Sequence, residues 1–322
     1  MEETLATPPT FKLNFSDQVH CVEFSPFEWS HHLICIALTH EIVIGTVKFQ
    51  EEDEAIDEIA YNPLTTIHHD TRPHAIAWSP ETSLSVIPKV VKFCVAGADF
   101  KIRLYTSNLD NKNNYEILDN HRDYINAVSY EPEGEYLVSV SDDHTCKLWD
   151  IKEEHKCVIT YYLTSPGMSV CWHNEKPGKL MVAEKNGIIR MYNVKSQQAL
   201  MSLDSGVAPL TSAEWGIDPM KIISLAAGEL LFWDVTRLSQ PLESFTLHID
   251  GGKMVKFSPL QDNILASIGQ PDNLLKVTNI KSKQVLLCGR MSLIGGLTWH
   301  QKLPFICTGN NRELNFWRIN FH

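Results

Sequence analysis

The 322-residue sequence lacks the features of secreted, disulfide-stabilised or membrane-spanning proteins. Its eight cysteines form no CxxC pair, and several lie within apolar runs, which is typical of small buried side chains in a reducing compartment. The acidic N-terminus has no apolar signal segment, and no apolar run approaches the ~18 residues of a membrane span. We therefore expect a soluble, intracellular protein.

Clusters of basic residues and catalytic motifs are also absent. The 28 lysines and arginines are outnumbered by 39 acidic residues, and the net charge is −11. Broad binding to a phosphate backbone needs clustered basic side chains, so we expect no direct contact with nucleic acid. GxxxxGK[ST], GxGxxG, HExxH and GxSxG do not occur. We expect no catalytic residue, no cofactor and no metal site.

What the sequence does contain is a repeat. Seven segments alternate small or apolar residues up to an aromatic residue and then turn; these first-marker aromatics are Phe24, Trp78, Tyr130, Trp172, Trp215, Phe257 and Trp299. They are spaced 54, 52, 42, 43, 42 and 42 residues apart. A period of about 40–45 residues is that of a WD40 blade.

A second marker follows each copy after a similar gap. It is aromatic in five units, at Tyr105, Trp149, Tyr192, Trp233 and Trp317, and departs from the pattern at Gly45 and Thr278. Each unit reads as four short strands separated by turn residues, such as the Asn186-Gly187 hairpin signal. The sequence therefore predicts an all-β fold, a seven-bladed WD40-type β-propeller that occupies residues 1–322 as one domain.

The ring needs a closing strand. The last unit ends at its third strand, close to the C-terminus, so its outer strand is missing. Residues 11–16, FKLNFS, alternate apolar and polar side chains ahead of the first unit. We predict that they supply the outer strand of the last blade and latch the ring; the alternative is a loose N-terminal arm.

The third unit is the closest to the WD consensus. WD repeats carry a buried hydrogen-bonded chain of His, Ser or Thr, Asp and Trp, and the resemblance implies that His121, Ser139, Asp143 and Trp149 form it here. A buried carboxylate and a buried indole N–H must both find partners. A His beside an Asp also suggests catalysis, but both residues fall at framework positions, which favours the structural role.

Two features lie outside the repeat. The first unit carries an acidic inter-strand loop, residues 49–62, with six acidic residues between Glu51 and Glu58. It is either a solvated loop or a docking arm for a basic partner. Trp29 lies off the repeat register and is a candidate partner-binding residue, because exposed aromatics often dominate interfaces. The alternative is that Trp29 caps the first blade.

Several segments resemble one family of WD-repeat proteins. They include FQEE (49–52), AWSPET (77–82), SVSDDHTC (139–146), SPGMSVCWH (165–173) and MVAEKNG (181–187). With these the sequence resembles the small, 37-kDa WD-repeat nucleoporins of the Y-shaped outer-ring scaffold complex of the nuclear pore. The match lies mainly in the first five units.

That resemblance implies a scaffold role. A member of the family would be a monomeric subunit of a hetero-oligomer, docked on the large 160-kDa outer-ring nucleoporin beside other subunits of the Y-shaped complex. It would lie at the nuclear envelope in the nuclear pore complex and support pore assembly and the transport of mRNA and protein. It would also associate with kinetochores in mitosis.

Two other functions compete with this interpretation. Substrate receptors of cullin ubiquitin ligases often carry Trp-Asp-x-Arg, and residues 149–152, Trp-Asp-Ile-Lys, are a near match. An enzymatic propeller would need several Asp, Glu or His side chains projecting into its central channel. The innermost predicted strands, such as INAVSY and GMSVCW, are mostly small and apolar, which disfavours an enzyme.

Overall fold

Short β-strands account for all the regular structure in a computed structural model that describes residues 6–109, 113–153, 155–237 and 240–321. Within those ranges there is no helix that could span a membrane. The strands form seven antiparallel four-stranded sheets, here called blades. Alternating apolar residues favour strands of this length because successive side chains point to opposite faces of a sheet.

The first four blades follow one another along the chain. Their strands are, for blade 1, β2 (Cys21–Phe24), β3 (Leu33–Ala37), β4 (Glu41–Phe49) and β5 (Ile59–His68); for blade 2, β6 (Pro73–Trp78), β7 (Val91–Gly97), β8 (Lys101–Ser107) and β9 (Asn113–Asp119); for blade 3, β10 (Ile125–Tyr130), β11 (Tyr136–Ser141), β12 (Thr145–Asp150) and β13 (Lys156–Tyr162); and for blade 4, β14 (Gly167–Trp172), β15 (Lys179–Glu184), β16 (Ile188–Asn193) and β17 (Gln198–Asp204).

The last three blades complete the series. Their strands are, for blade 5, β18 (Leu210–Trp215), β19 (Lys221–Ala226), β20 (Glu229–Asp234) and β21 (Glu243–Thr246); for blade 6, β22 (Gly252–Phe257), β23 (Ile264–Gly269), β24 (Leu274–Asn279) and β25 (Gln284–Arg290); and for blade 7, β26 (Ile294–Trp299), β27 (Phe305–Asn310), β28 (Glu313–Arg318) and the N-terminal β1 (Phe11–Asn14). The predicted seven-bladed propeller is confirmed.

The first strands of the blades surround a central channel. Each contacts the first strand of the next blade, from β2 through β6, β10, β14, β18 and β22 to β26 and back to β2. We letter the four strands of each blade A to D from the channel outward. Because neighbouring strands are antiparallel, the loops between A and B and between C and D lie on one face, which we call the AB face. The loops between B and C, and those that lead from D into strand A of the next blade, lie on the opposite face, which we call the DA face.

The N-terminal strand lies in the last blade. β1 pairs with β28 from Phe11 opposite Phe316 to Asn14 opposite Glu313. The strand is shorter than the predicted latch of residues 11–16, although Phe15 still donates its N–H to the carbonyl oxygen of Arg312. Both ends of the described chain therefore contribute strands to one sheet.

The long first repeat interval reflects an extended hairpin, and this corrects the boundaries of the acidic loop. β4 and β5 have nine and ten residues, so only residues 50–58 of the predicted loop 49–62 lie between strands. Phe49 ends β4 with 0% of its surface exposed, and its ring stacks on Phe305 of blade 7 at a centroid distance of 3.9 Å. Glu51 also pairs with Arg318 (3.1 Å). The hairpin thus covers the ring closure.

First-marker tryptophans connect neighbouring blades. The indole N–H of Trp78 donates to the carbonyl oxygen of Glu23 (3.0 Å) in the preceding blade, and that of Trp172 donates to Ser129 (3.1 Å) in the same relation. Trp299 repeats the bond to its own preceding blade. In these three blades the aromatic residue both packs between sheets and donates to a backbone carbonyl of the neighbouring sheet, whereas the Trp215 indole N–H has no partner among the described residues.

Candidate functional site

The structure brings the four predicted residues of blade 3 together in one chain of hydrogen bonds. His121, in the loop before β10, bonds Asp143 through Nδ1 (2.8 Å) and Ser139 through Nε2 (2.7 Å). Trp149 donates its indole N–H to Ser139 Oγ (2.8 Å). The chain is consistent with one tautomer, in which His121 donates from Nδ1 and accepts the Ser139 hydroxyl proton at Nε2.

The carboxyl group of Asp143 is held ionised. Burial acts to raise its pKa, but hydrogen bonds from His121, Thr145 and the backbone N–H of Arg122 outweigh this and hold the pKa well below its usual range. Both carboxylate oxygens are used, because Oδ2 faces His121 and Oδ1 accepts from Thr145. Each polar group of the chain thus already has a partner within the blade, which supports the structural role over proton transfer to a substrate.

Related arrangements in blades 2 and 6 went unrecognised in the sequence. His69 bonds the hydroxyl of Tyr105 (2.7 Å), and His248 bonds Ser267 Oγ (2.9 Å). Both histidines are buried, and burial lowers the pKa of each to about 4. A local signal existed, since His69, His121 and His248 each stand four residues before the first strand of their blade.

Trp29 lies on the AB face between blades 1 and 2. Its indole N–H donates to the carbonyl oxygen of Thr82 (2.9 Å), and its ring stacks on Phe27 at 5.0 Å with an interplanar angle of 11°. The residue is nonetheless 51% exposed. It therefore bridges two blades and still presents a fixed aromatic surface to solvent.

Exposed apolar and acidic side chains lie in the AB-face loops of blades 1 to 3. Val86 and Ile87, in the loop between β6 and β7, are 63% and 90% exposed. The acidic residues in the AB-face loops of blades 1 to 3 include Glu28, Glu51, Glu52, Asp53, Glu54, Asp57, Glu58, Glu81, Glu133 and Glu135. We call the surface formed by Phe27, Trp29, Val86 and Ile87 the aromatic shelf. It has the composition of a docking surface for a partner with apolar and basic side chains.

The central channel is more polar than the sequence predicted. Glu23, Glu214 and Lys256 all line it, where small apolar side chains were expected. Lys256 Nζ lies 2.6 Å from Glu23 Oε1, and Glu214 accepts the backbone N–H of Phe257. Burial raises the pKa of Glu214 to about 7, although Lys256 opposes the shift. These bonds join blades 1, 5 and 6, so the three side chains connect inner strands across the channel.

One cluster has the composition of a metal site but not its chemistry. Ligand atoms of His31, Glu52 and His300 lie within 4.8 Å of one another. His300 Nδ1, however, accepts the backbone N–H groups of Leu303 (2.9 Å) and Lys302 (3.3 Å). A neutral imidazole used as an acceptor at Nδ1 carries its proton on Nε2 and cannot ligate a cation there. The cluster therefore does not fit a metal ion.

The chain matches a family of repeats and several full-length relatives. Residues 112–150, which span most of blade 3, match the WD domain, G-beta repeat. The chain is 42% identical to Nucleoporin Nup37 of Mus musculus over 98% of its own length and 99% of the relative. The protein of the same name from Homo sapiens is 41% identical over the same shares.

The similarity extends to an insect relative. Nucleoporin Nup37 of Drosophila melanogaster is 35% identical over 97% of each chain. These alignments run through all seven blades rather than through one repeat, which a shared WD40 fold alone would not produce.

Proposed function

The chain belongs to the nucleoporin Nup37 family, and from this membership we propose that it is a non-catalytic scaffold subunit of the Y-shaped outer-ring complex of the nuclear pore. Its chief partner in this proposal is the large 160-kDa nucleoporin of that complex. The subunit supports pore assembly and nucleocytoplasmic transport and associates with kinetochores in mitosis. Near-full-length identity to proteins named as nucleoporins is the observation that carries the proposal.

The aromatic shelf is the docking surface that we propose. Trp29 and Ile87 expose 51% and 90% of their surfaces, yet Trp29 is held by its bond to Thr82 and by stacking on Phe27. A side chain that is already ordered loses little conformational freedom on binding, so its burial contributes more fully to affinity. Truncation of an aromatic hot-spot residue at the centre of an interface costs about 2 kcal/mol or more.

Charge supports a basic, amphipathic partner segment. The acidic residues beside the shelf include Glu28 and those of the 50–58 loop. Within that loop, Glu51 pairs with Arg318 and Glu52 pairs with His31. The remaining acidic residues of that loop have no ion pair among the described residues. Such a surface speeds association with a basic segment and weakens as salt rises.

The competing ligase interpretation rests on a Trp-Asp pair with a structural role. Trp149 is 2% exposed and bonds Ser139, and Asp150 Oδ1 accepts the backbone N–H groups of Lys152 and Glu153. The Trp-Asp pair therefore belongs to the blade framework and its turn.

Purification of the tagged protein from cells tests the role. Stoichiometric recovery of outer-ring nucleoporins, the 160-kDa member above all, is the expected result. Recovery of a cullin adaptor without pore proteins would overturn the proposal.

Point variants test the surface separately. Trp29→Ala and Ile87→Asp should each reduce recovery of the large nucleoporin, whereas Ile249→Asp should not, because Ile249 is 78% exposed in the loop before β22 on the DA face. If Ile249→Asp weakens recovery as much as Ile87→Asp, docking does not use the aromatic shelf, even though the scaffold role would stand.

A further inference from the structure

A repeated backbone irregularity shapes the DA end of the channel. In blades 2 to 6 the first strand carries a β-bulge one residue after its start, where the strand register shifts. The extra residues, which line the channel, are His74, Asn126, Met168, Thr211 and Lys253. A bulge re-aims the side chain of its unpaired residue, and here it does so at the same level of the channel in successive blades.

Cationic and imidazole groups gather at this level. Lys253 and His74 are joined there by His20 and Arg72, which also line the channel. The charge of Arg72 acts on all three others, since it is among the causes that lower the pKa of His20, His74 and Lys253. The four residues come from blades 1, 2 and 6 and the loops leading into them, and we call them the basic mouth.

No carboxylate compensates the two permanent charges. Neither the Lys253 ammonium nor the Arg72 guanidinium has an ion pair or hydrogen bond with any of the residues that the structure describes. Three carboxylates lie nearby and are engaged elsewhere. Asp142 accepts from Asn126 (2.7 Å), Glu23 pairs with Lys256, and Asp17, whose charge acts on His20, accepts the backbone N–H of Gln18 (2.7 Å). His74 Nε2 is likewise buried without a partner.

The uncompensated charge of Lys253 is unfavourable because its side chain is half-buried, whereas Arg72 beside it is exposed to solvent at the mouth. Burial is the largest cause that lowers the pKa of Lys253, and the charge of Arg72 adds to it. Buried charges in proteins are normally paired, and the whole chain carries a net charge of −11, so acidic partners are not scarce. With Arg72 exposed at the mouth and Lys253 half-buried behind it, the two like charges direct a positive field at an anion that enters from the DA face.

We propose that the basic mouth binds a phosphate group at the DA end of the channel. A phosphate carries a charge of about −1.5 to −2, which matches one lysine and one arginine, and its oxygens accept the N–H donors of Arg72, Lys253 and His74. The channel encloses about 780 Å³, which is ample for the group with its bound water. This site is separate from the aromatic shelf and does not depend on the role in the nuclear pore.

Free inorganic phosphate and a phosphorylated side chain present the same chemical group. Titrations of the full-length protein with inorganic phosphate and with O-phosphoserine, at constant ionic strength, separate the two sources. Isothermal titration calorimetry gives the affinity, and the ring signals of His20 and His74 in NMR spectra report where the anion binds. We expect saturable binding in the millimolar range or tighter, with these two histidine signals moving most.

Charge-removing variants decide whether the site is specific. Lys253→Gln and Arg72→Gln should each weaken binding by about tenfold or more, since each removes a charge-assisted bond. The matched control is Lys185→Gln, which removes one charge from an exposed lysine of a DA-face turn in blade 4. Lys185→Gln should leave the affinity unchanged.

The variants also have a readout that does not need the anion. Lys253→Gln should raise the melting temperature without phosphate, because it removes an unpaired, partly buried charge, and it should reduce the stabilisation by phosphate. Equal weakening by Lys185→Gln would show that the binding is only general electrostatic attraction. Absence of saturable binding, or shifts that spare His20 and His74, would overturn the proposal.

Discussion

Replacement of Phe49 by alanine should loosen the closure of the ring more than an equivalent change elsewhere. Phe49 is fully buried at the end of β4, and its ring stacks on Phe305 of blade 7 at 3.9 Å and 5°. Phe11 of the closing strand β1 lies 6.3 Å away, and Phe316 of β28 lies 5.9 Å away. The variant would leave a cavity at the point where the two ends of the chain meet.

The expected cost follows from the size of the buried ring. Removing a fully buried phenyl group lowers the free energy of unfolding by about 3–5 kcal/mol. An unfolding entropy of about 2.1 cal/mol/K per residue gives roughly 0.7 kcal/mol/K for a chain of 322 residues. The melting temperature should therefore fall by about 4–7 °C.

Hydrogen exchange distinguishes loosened closure from general destabilisation. Phe93→Ala is the matched control, because Phe93 is equally buried in blade 2 and stacks on Tyr105 at 5.1 Å, away from the closure. Both variants should melt earlier, but only Phe49→Ala should speed exchange of the amides of β1 (Phe11–Asn14). If β1 stays as protected in Phe49→Ala as in Phe93→Ala, the hairpin does not hold the closing strand and the reasoning is wrong.

Two further predictions concern buried polar groups. Ser139→Ala should lower the free energy of unfolding by about 1–3 kcal/mol in chemical denaturation, because it leaves the Trp149 indole and His121 Nε2 without their shared partner. The control is Ser224→Ala, which removes the partner of the Trp233 indole alone. A smaller loss for Ser139→Ala than for Ser224→Ala would contradict this reasoning. The free energy of unfolding should also fall as the pH is lowered from about 6.5 to 4. Burial lowers the folded-state pKa of His69 to about 4, while the unfolded chain takes up that proton near pH 6.5, so His69 contributes a loss of roughly 3 kcal/mol over this range. His69→Gln should make this fall shallower without abolishing it, because burial also lowers the pKa of His248 to about 4. An unchanged slope would show that His69 does not contribute.

Features within one repeat could be predicted from the sequence. The marker aromatics set the number of blades, and the alternation in residues 11–16 indicated the closing strand that is found at Phe11–Asn14. The chain of His121, Ser139, Asp143 and Trp149 lies within one unit, so its spacing could be transferred from the WD pattern. These predictions succeed because strand alternation and turn chemistry act over a few residues, and each blade repeats them.

Features that join distant repeats could not be predicted in this way. The sequence alone gives no reason for Phe49 to meet Phe305, and the acidic composition of residues 49–62 predicts a single loop rather than the extended β4–β5 hairpin. The acidic and basic side chains in the channel were missed for a similar reason, since their strands look small and apolar one at a time.

Composition and local pattern therefore determined the strands, their number and their order around the ring. Tertiary structure alone decided which side chains of distant blades meet. A ring brings its first and last blades into contact and turns seven inner strands towards one axis, so that Arg72 and Lys253 act on each other across 181 positions of sequence. No local rule records that electrostatic interaction, because it depends on closure of the whole ring and on bulges that re-aim single side chains into the channel.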